Sequence, residues 1–272
     1  LEVTYLNVAN KQISNLAGIE NFTRLEVLNC KTNNLTSLDV NRLSKLTTLF
    51  CDNNQLTSLN VSGIKSLLVL HCYSNQLIYL DVQGLTNLNY FNCSSNDLTS
   101  LNVQGLTNLS EFHCSWNELI SLNVQGLTNL TIFSCNGNQL ISLNANGLYN
   151  LKSLVCIINN LTSLNVQGLT SLEYLNCSDN QLTSLDVQGL TNLTELRCND
   201  NQLTSLDVQG FSRLIFLNCN NNQLTFLNFK GIRTILYTFF EENTNLRYIC
   251  CDEKNITEIK NVSLANGQNC EV

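Results

Sequence analysis

Residues 172–192 read LEYLNCSDNQLTSLDVQGLTN, and residues 193–213 read LTELRCNDNQLTSLDVQGFSR. Set one above the other, Leu172, Leu175, Cys177, Asn180 and Leu182 fall on Leu193, Leu196, Cys198, Asn201 and Leu203. Outward from this pair, the same 21-residue step carries the cysteine back through Cys156, Cys135, Cys114, Cys93, Cys72 and Cys51 to Cys30, and forward to Cys219. Ten copies follow one another without an insertion or deletion, beginning with Leu25-x-x-Leu28-x-Cys30-x-x-Asn33-x-Leu35.

A strict period of this length is the mark of a solenoid, and the phrase itself is the leucine-rich-repeat pattern with Cys in its third apolar slot. Residues 26–31 alternate in and out as a short strand must, with Leu28 and Cys30 inward. Stacked units pair such strands in parallel, about 4.8 Å apart. Asn33 and its equivalents sit where the chain leaves the strand, where a buried amide can satisfy peptide groups the turn leaves unpaired. The second half of each unit, such as Leu182 to Val187, alternates again and predicts a short extended segment on the far side. Gly189 and its equivalents from Gly63 to Gly231 predict a positive-φ turn, although the first copy has Arg42 there. The expected fold is an α/β-class repeat solenoid, right-handed, made mostly of short parallel strands with little helix, its parallel sheet on the concave side.

The ends depart from the period, as the ends of a stack must. The first unit, Val3-x-x-Leu6-x-Val8 to Arg24, is 22 residues long and has Lys11 in the Asn slot. At the other end, Phe229–Asn245 reads as carrying an eleven-residue insertion, after which Leu246-x-x-Ile249-x-Cys251 resumes the register and Ile256 and Ile259 continue the core. The organisation expected is therefore an N-terminal capping repeat over 1–24, ten repeats over 25–234, and an insertion with a C-terminal cap over 235–272.

Composition narrows the function. Charged residues make up 13% and hydrophobic residues 43% of the 272, which argues against disorder. A net charge of −7 argues against a nucleic-acid partner, which would call for a basic stripe. No apolar run reaches the roughly 18 residues of a membrane span. The chain begins at Leu1 without a leader, pointing to a processed product or an excised segment.

The ten laddered cysteines read as small core hydrophobes. A single-file column does not converge on a metal, and parallel neighbours rarely offer a disulfide dihedral, so no metal and no cofactor is expected. Three cysteines remain. Cys251 keeps a core slot, which leaves Cys250 and Cys270 to bridge and pin the tail, with Cys251–Cys270 as the alternative. Either bond needs an oxidising compartment.

The outward strand slots vary while the core slots do not, so specialisation belongs to the strand face. Phe50, His71, Tyr73, Tyr90, His113 and Trp116 fall on four or five consecutive units, with Glu111 beside His113. Ile132, Val155 and Ile157, followed by Ile158, extend the patch as an apolar stretch. A contiguous exposed patch of this kind marks an interaction site, and Tyr and Trp are the usual anchors of protein interfaces. A protein partner is expected; a glycan, stacked on the same rings, is the alternative, and a spacer role is another. Catalysis finds no support: His71 and His113 are the only histidines, two rungs or about 10 Å apart, and no nucleophile elbow, phosphate loop or metal spacing occurs. Outward Thr columns such as Thr162, Thr183, Thr204 and Thr225 suggest ice binding, but Ile78, Ile120, Ile141 and Tyr149 interrupt them.

The phrase LTSLDVQGLTNLTELRCNDNQ and the first unit LNVANKQISNLAGIENFTRLEVL resemble the internalin-like, 21-residue leucine-rich-repeat proteins of Bacteroidetes-type bacteria. The tail NTNLRYICCDEKNITEIKNVSLANGQNC is similar to the segment that closes the repeats before a secretion-sorting domain in that family. The resemblance implies a secreted or bacterial cell-surface protein that binds host proteins, glycans or other cells. It carries a shared fold and no particular ligand.

Overall fold

The computed structural model describes residues 2–232 and 237–252. The fold is a parallel β-solenoid of the leucine-rich-repeat type, in two compact units divided between Gln139 and Leu140. In the first unit, strands Tyr5–Asn7, Val27–Asn29, Thr48–Phe50, Val69–His71, Tyr90–Asn92, Glu111–His113 and Ile132–Ser134 pair in parallel, each with the next turn. In the second, Ser153–Val155, Tyr174–Asn176, Glu195–Arg197, Phe216–Asn218 and Tyr237–Phe239 do the same. On the far side the ladders are shorter: Ser37–Asp39 pairs Ser58–Asn60 in the first unit, and Ser142–Asn144 pairs Ser163–Asn165 in the second. Among the described residues the one helical element is a single turn, Ile19–Asn21.

Each strand lasts three residues because alternation lets only its middle residue face the core. Leu28, Leu49, Leu70, Phe91, Phe112 and Phe133 fill that slot in the first unit and are fully buried, as are the cysteines that follow two residues later. Phe91, Phe112 and Phe133 form a stack with centroids 5.5 and 5.4 Å apart and planes within 10°. The cysteine column does more than fill space. Cys51 Sγ donates to the His71 carbonyl at 3.3 Å, Cys93 to His113 at 3.6 Å and Cys177 to Arg197 at 3.6 Å, so the thiol both packs and bonds to the next turn.

Burial pushes the Cys30, Cys135, Cys177 and Cys219 thiols up to about 12 and the thiols of Cys51, Cys93, Cys114 and Cys198 well above their ordinary range. The reactive thiolate is therefore scarce at neutral and mildly alkaline pH, and access is closed as well. Iodoacetamide at pH 8 should leave the laddered cysteines unmodified in the native protein and modify them in urea, as read by peptide mass mapping. Labelling of the column without unfolding would show that the core is open.

The asparagine slot is a hydrogen-bonded ladder. Asn96 Nδ2 donates to the carbonyls of Cys72 and Cys93, both at 3.0 Å, while its Oδ1 accepts from the Leu77 N–H at 3.0 Å. One amide thus ties two turns together. At the N-terminal end, Asn33 Oδ1 accepts from both Lys11 and Ile13 N–H at 3.0 Å, so the first turn is satisfied from its neighbour and needs no Asn of its own at Lys11. The glycine turn is as expected, with Gly189 at φ 85°.

Two expectations for the C-terminal end are corrected. The period runs on through Asn243: Tyr237–Phe239 pairs Phe216–Asn218 at a 21-residue offset. Phe240 is fully buried in the slot Cys219 occupies one turn earlier. Asn243 continues the ladder to the Cys219 and Phe240 carbonyls at 3.0 and 2.9 Å. Thus the described residues 237–243 keep the register of the repeat, with Phe240 for Cys and Thr238 for Leu, where an eleven-residue insertion was expected. Second, Tyr248–Cys250 pairs Phe226–Asn228 on the far side, so Ile249 matches Leu227 and not the strand-face residue Leu217. Cys250 and Cys251 are half-buried there, and Cys270, with the bridge expected of it, lies outside the described residues, as do Ile256 and Ile259.

Candidate functional site

In the first unit the residues on either side of each buried strand centre stand on the sheet face, half-exposed, and four of them interlock, joined by Tyr73 from the slot after Cys72. The His71 ring lies between two others: it meets Phe50 edge-on at 4.9 Å and stacks on Tyr90 at 4.7 Å with 15° between planes. Tyr73 approaches it at 6.0 Å, and Tyr90 passes the strip on to His113 at 5.7 Å. Register brings these rings within reach, since Phe50 pairs His71 on adjacent strands while Tyr90, paired with Val69, lies diagonally across from His71, and the rotamers complete the contact. Rings in neighbouring turns gain by stacking or edge contact, and each covers part of the next.

The electrostatics follow from that partial cover. Burial lowers the pKa of His71, with Asp52 acting against it, and burial lowers that of His113, with Glu111 acting against it. Glu111 Oε2 is 3.9 Å from His113 Nε2. Burial first and the nearby carboxylates second raise the Tyr73 and Tyr90 phenols. At neutral pH the strip is therefore neutral: imidazoles and phenols that offer both donors and acceptors, with carboxylates at two points. Asp52, which sequence reading passed over, is 2% exposed and accepts from the Asn53 side-chain amide at 2.9 Å. Its signal was available, because it is the one acid in the slot after each laddered cysteine.

Trp116 stands apart. It is on the corner after the strand, at φ 55°, in a column of left-handed residues that includes Thr32, Asn53, Ser74 and Ser95. Its ring is 54% exposed and lies across Gly137, where an added Cβ would come within 2.4 Å of the indole. Gly137, in the same column one turn on, gives the ring its seat. Among the described residues no ring contact joins Trp116 to the His71 strip. Between them runs a hydroxyl ladder in which Ser115 N donates to Ser94 Oγ and Asn136 N to Ser115 Oγ, both at 3.1 Å. Ile132 is half-exposed at the start of the strand Ile132–Ser134.

Val155 and Ile157 belong to the second unit, where both are half-exposed and Ile158 is exposed. That unit holds a cluster of its own which the reading of the sequence missed. The Arg197 guanidinium sits 4.3 Å over the Phe216 ring and pairs with Glu195, and Phe216 meets Phe239 at 5.5 Å and Tyr237 at 6.2 Å. Tyr237 and Phe239 were hidden by the supposed insertion. Among the described residues no three His, Cys, Asp or Glu side chains converge as metal ligands, and no helix is long and apolar enough to cross a membrane.

Comparison with known proteins agrees with this geometry. The family Leucine Rich repeats (2 copies) matches residues 170–212. No curated protein matches the chain. Among solved structures, the functional domain of InlJ from Listeria monocytogenes, described as including a cysteine ladder, is 36% identical with a TM-score of 0.86, over 90% of this chain and 55% of that one. This chain thus spans little more than half the length of that domain. A leucine-rich-repeat protein of Leptospira interrogans is 25% identical with a TM-score of 0.67, over 97% and 82% of the two chains. An internalin, InlF, from Listeria monocytogenes shares the fold at 21% identity and a TM-score of 0.63, over 91% and 86%.

Proposed function

We propose that this leucine-rich-repeat chain is an internalin-like, non-enzymatic binding module, secreted or held at a bacterial cell surface, that recognises a protein of a host or of another cell. The observation that carries the reading is the ring strip of Phe50, His71, Tyr73, Tyr90 and His113 on the strand face, with Trp116 on its seat nearby. Rings locked by their neighbours lose little freedom on binding, which is what makes aromatic side chains effective anchors. Glu111 supplies an acceptor at its margin, and Ile132 extends it with apolar surface. In the second unit Val155 and Ile157 offer a smaller apolar surface on the same slots. The likeness to InlJ at 36% identity extends to the cysteine ladder that supports this face.

The test is capture from host-cell lysate and serum on immobilised protein, followed by titration of the purified partner. Tyr90→Ala, Tyr73→Ala and Trp116→Ala should each weaken binding by roughly thirty-fold, since an anchor is worth about 2 kcal/mol and about 1.4 kcal/mol is tenfold. Their unfolding midpoints should stay close to the native value, because these side chains lie outside the buried column. Normal binding by all three variants would refute the site.

A further inference from the structure

We propose that the far side of the first unit carries a second site, a groove for a neutral oligosaccharide with Tyr79 as its stacking platform. Strands Ser37–Asp39 and Ser58–Asn60 pair there in register, but the ladder then stops: residues 79–81, 100–102 and 121–123 form no strand. A groove of about 390 Å³ lies over these residues, walled by Tyr79, Asp81, Ser100, Asn102, Ser121 and Asn123 among others.

The repeat itself marks position 79 as specialised. Its column reads Asn15, Ser37, Ser58, Ser100 and Ser121 in the other turns of this unit, and only this turn has an aromatic there. The core does not call for it, because Leu80 beside it is buried while Tyr79 is 68% exposed. An aromatic ring left standing in water at the mouth of a polar groove loses free energy until something flat and partly apolar covers it. The C–H face of a pyranose ring is such a surface.

The rest of the wall suits the hydroxyls of that ring. Asp81 Oδ1 accepts from the Gln83 N–H at 2.9 Å and Asn102 Oδ1 from the Gln104 N–H at 3.0 Å, which fixes both side chains and leaves Asp81 Oδ2 and the Asn102 amide for a ligand. Gln104 Nε2 donates to the Asn123 carbonyl at 2.9 Å and so braces one turn against the next. Ser100 and Ser121 add hydroxyls that donate or accept. No Lys or Arg lines the groove, and Asp81 is its one charge, so sulfated, phosphorylated or uronic-acid chains are disfavoured. Strand addition by an extended peptide needs an open sheet edge, and residues 79–81, 100–102 and 121–123 are consecutive turns, the last two braced by Gln104 on the Asn123 carbonyl.

Affinity electrophoresis through gels containing mannan, xyloglucan, galactomannan or laminarin tests the site, with Tyr79→Ser as the principal variant. That change restores the residue the column holds elsewhere, so folding should be preserved. The native protein should be retarded by at least one of the four, Tyr79→Ser should raise the apparent Kd about tenfold or more, and Tyr90→Ala should migrate as the native protein does. The last comparison separates this groove from the strand face. Equal retardation of Tyr79→Ser overturns the proposal, as does an absence of retardation in all four gels, whether or not a fifth gel containing dextran sulfate retards the native protein. Tyr79-dependent binding to a random decapeptide library without polysaccharide binding overturns it in favour of a peptide.

Discussion

Phe112→Ala is expected to lower the unfolding free energy by about 3–5 kcal/mol, the range for losing a buried Phe side chain. The ring is fully buried and central in a stack of three, 5.5 Å from Phe91 and 5.4 Å from Phe133. Three circumstances put it at the upper end of the range. The cavity left by the substitution lies inside the stack, so both neighbouring rings lose a face. Collapse is opposed because strand Glu111–His113 is held in register by the turns on both sides. Finally, each turn of a solenoid is stabilised through its nearest neighbours, so weakening one interface on either side of residue 112 is felt along the unit. Phe112→Leu is the informative companion. Leu is the residue most turns carry in this slot, and the smaller volume change should cost about 1–1.5 kcal/mol. Urea unfolding followed by circular dichroism measures both. A loss below about 1 kcal/mol for the alanine variant would mean that the stack is loosely packed and that the cysteine and leucine columns alone hold the unit.

What could be read beforehand divides along a physical line. Residue types that a slot demands repeat with the period, and these were legible: the apolar slots, the Cys column, the Asn ladder and the positive-φ glycines. Features that pairing imposes on any residue type were not. Trp116 shares its left-handed backbone with Thr32, Asn53, Ser74 and Ile158, a set that runs from hydroxyl and amide to branched hydrocarbon. The conformation comes from stacking, with Trp116 N donating to the Asn136 carbonyl at 2.7 Å and its own carbonyl accepting from Asn96 N at 3.2 Å. The same holds for residues 246–251. Each repeat contains an apolar-x-x-apolar-x-apolar phrase twice, once on each side and in most turns as L-x-x-L-x-(Cys or Val), and only the pairing with Phe226–Asn228 decides which copy the end of the chain represents. On the candidate face, alternation identified which side chains stand outward. It could not say that His71 would be held between Phe50 and Tyr90, or that Asp52 would be covered, because both depend on rotamers chosen among neighbours. The groove at Tyr79 was hidden for a related reason, since the local sequence there alternates just as it does where the far-side ladder forms.

Asn117→Ala is expected to cost about 3–6 kcal/mol, although it removes a small polar side chain. Asn117 is 5% exposed, and its Nδ2 donates to the carbonyls of Cys93 and Cys114 at 3.1 Å and of Ser115 at 3.3 Å. Its Oδ1 accepts from the Leu98 N–H at 3.0 Å. Alanine leaves a buried N–H and two well-aligned carbonyls without these partners, and each such group costs about 1–3 kcal/mol. Asn117→Asp separates the two halves of the role. The new carboxylate can still accept from Leu98 N–H, but it has no proton to give and turns its charge toward carbonyl oxygens. It should destabilise at pH 7 at least as much as alanine does. The charge is disfavoured in the fold, so the folded-state pKa is raised above the unfolded value of about 3.9. Between these values the folded state binds the proton more tightly, and stability lost at neutral pH is regained as the pH falls through the folded pKa. Alanine has no such recovery. Hydrogen exchange at Leu98 gives a local readout: its amide should exchange faster than its neighbours in Asn117→Ala and stay protected in Asn117→Asp under conditions where both remain folded. If both variants unfold within about 1 kcal/mol of the native protein, the ladder sets only the register of the turns, and the packed columns of Leu and Cys carry the stability.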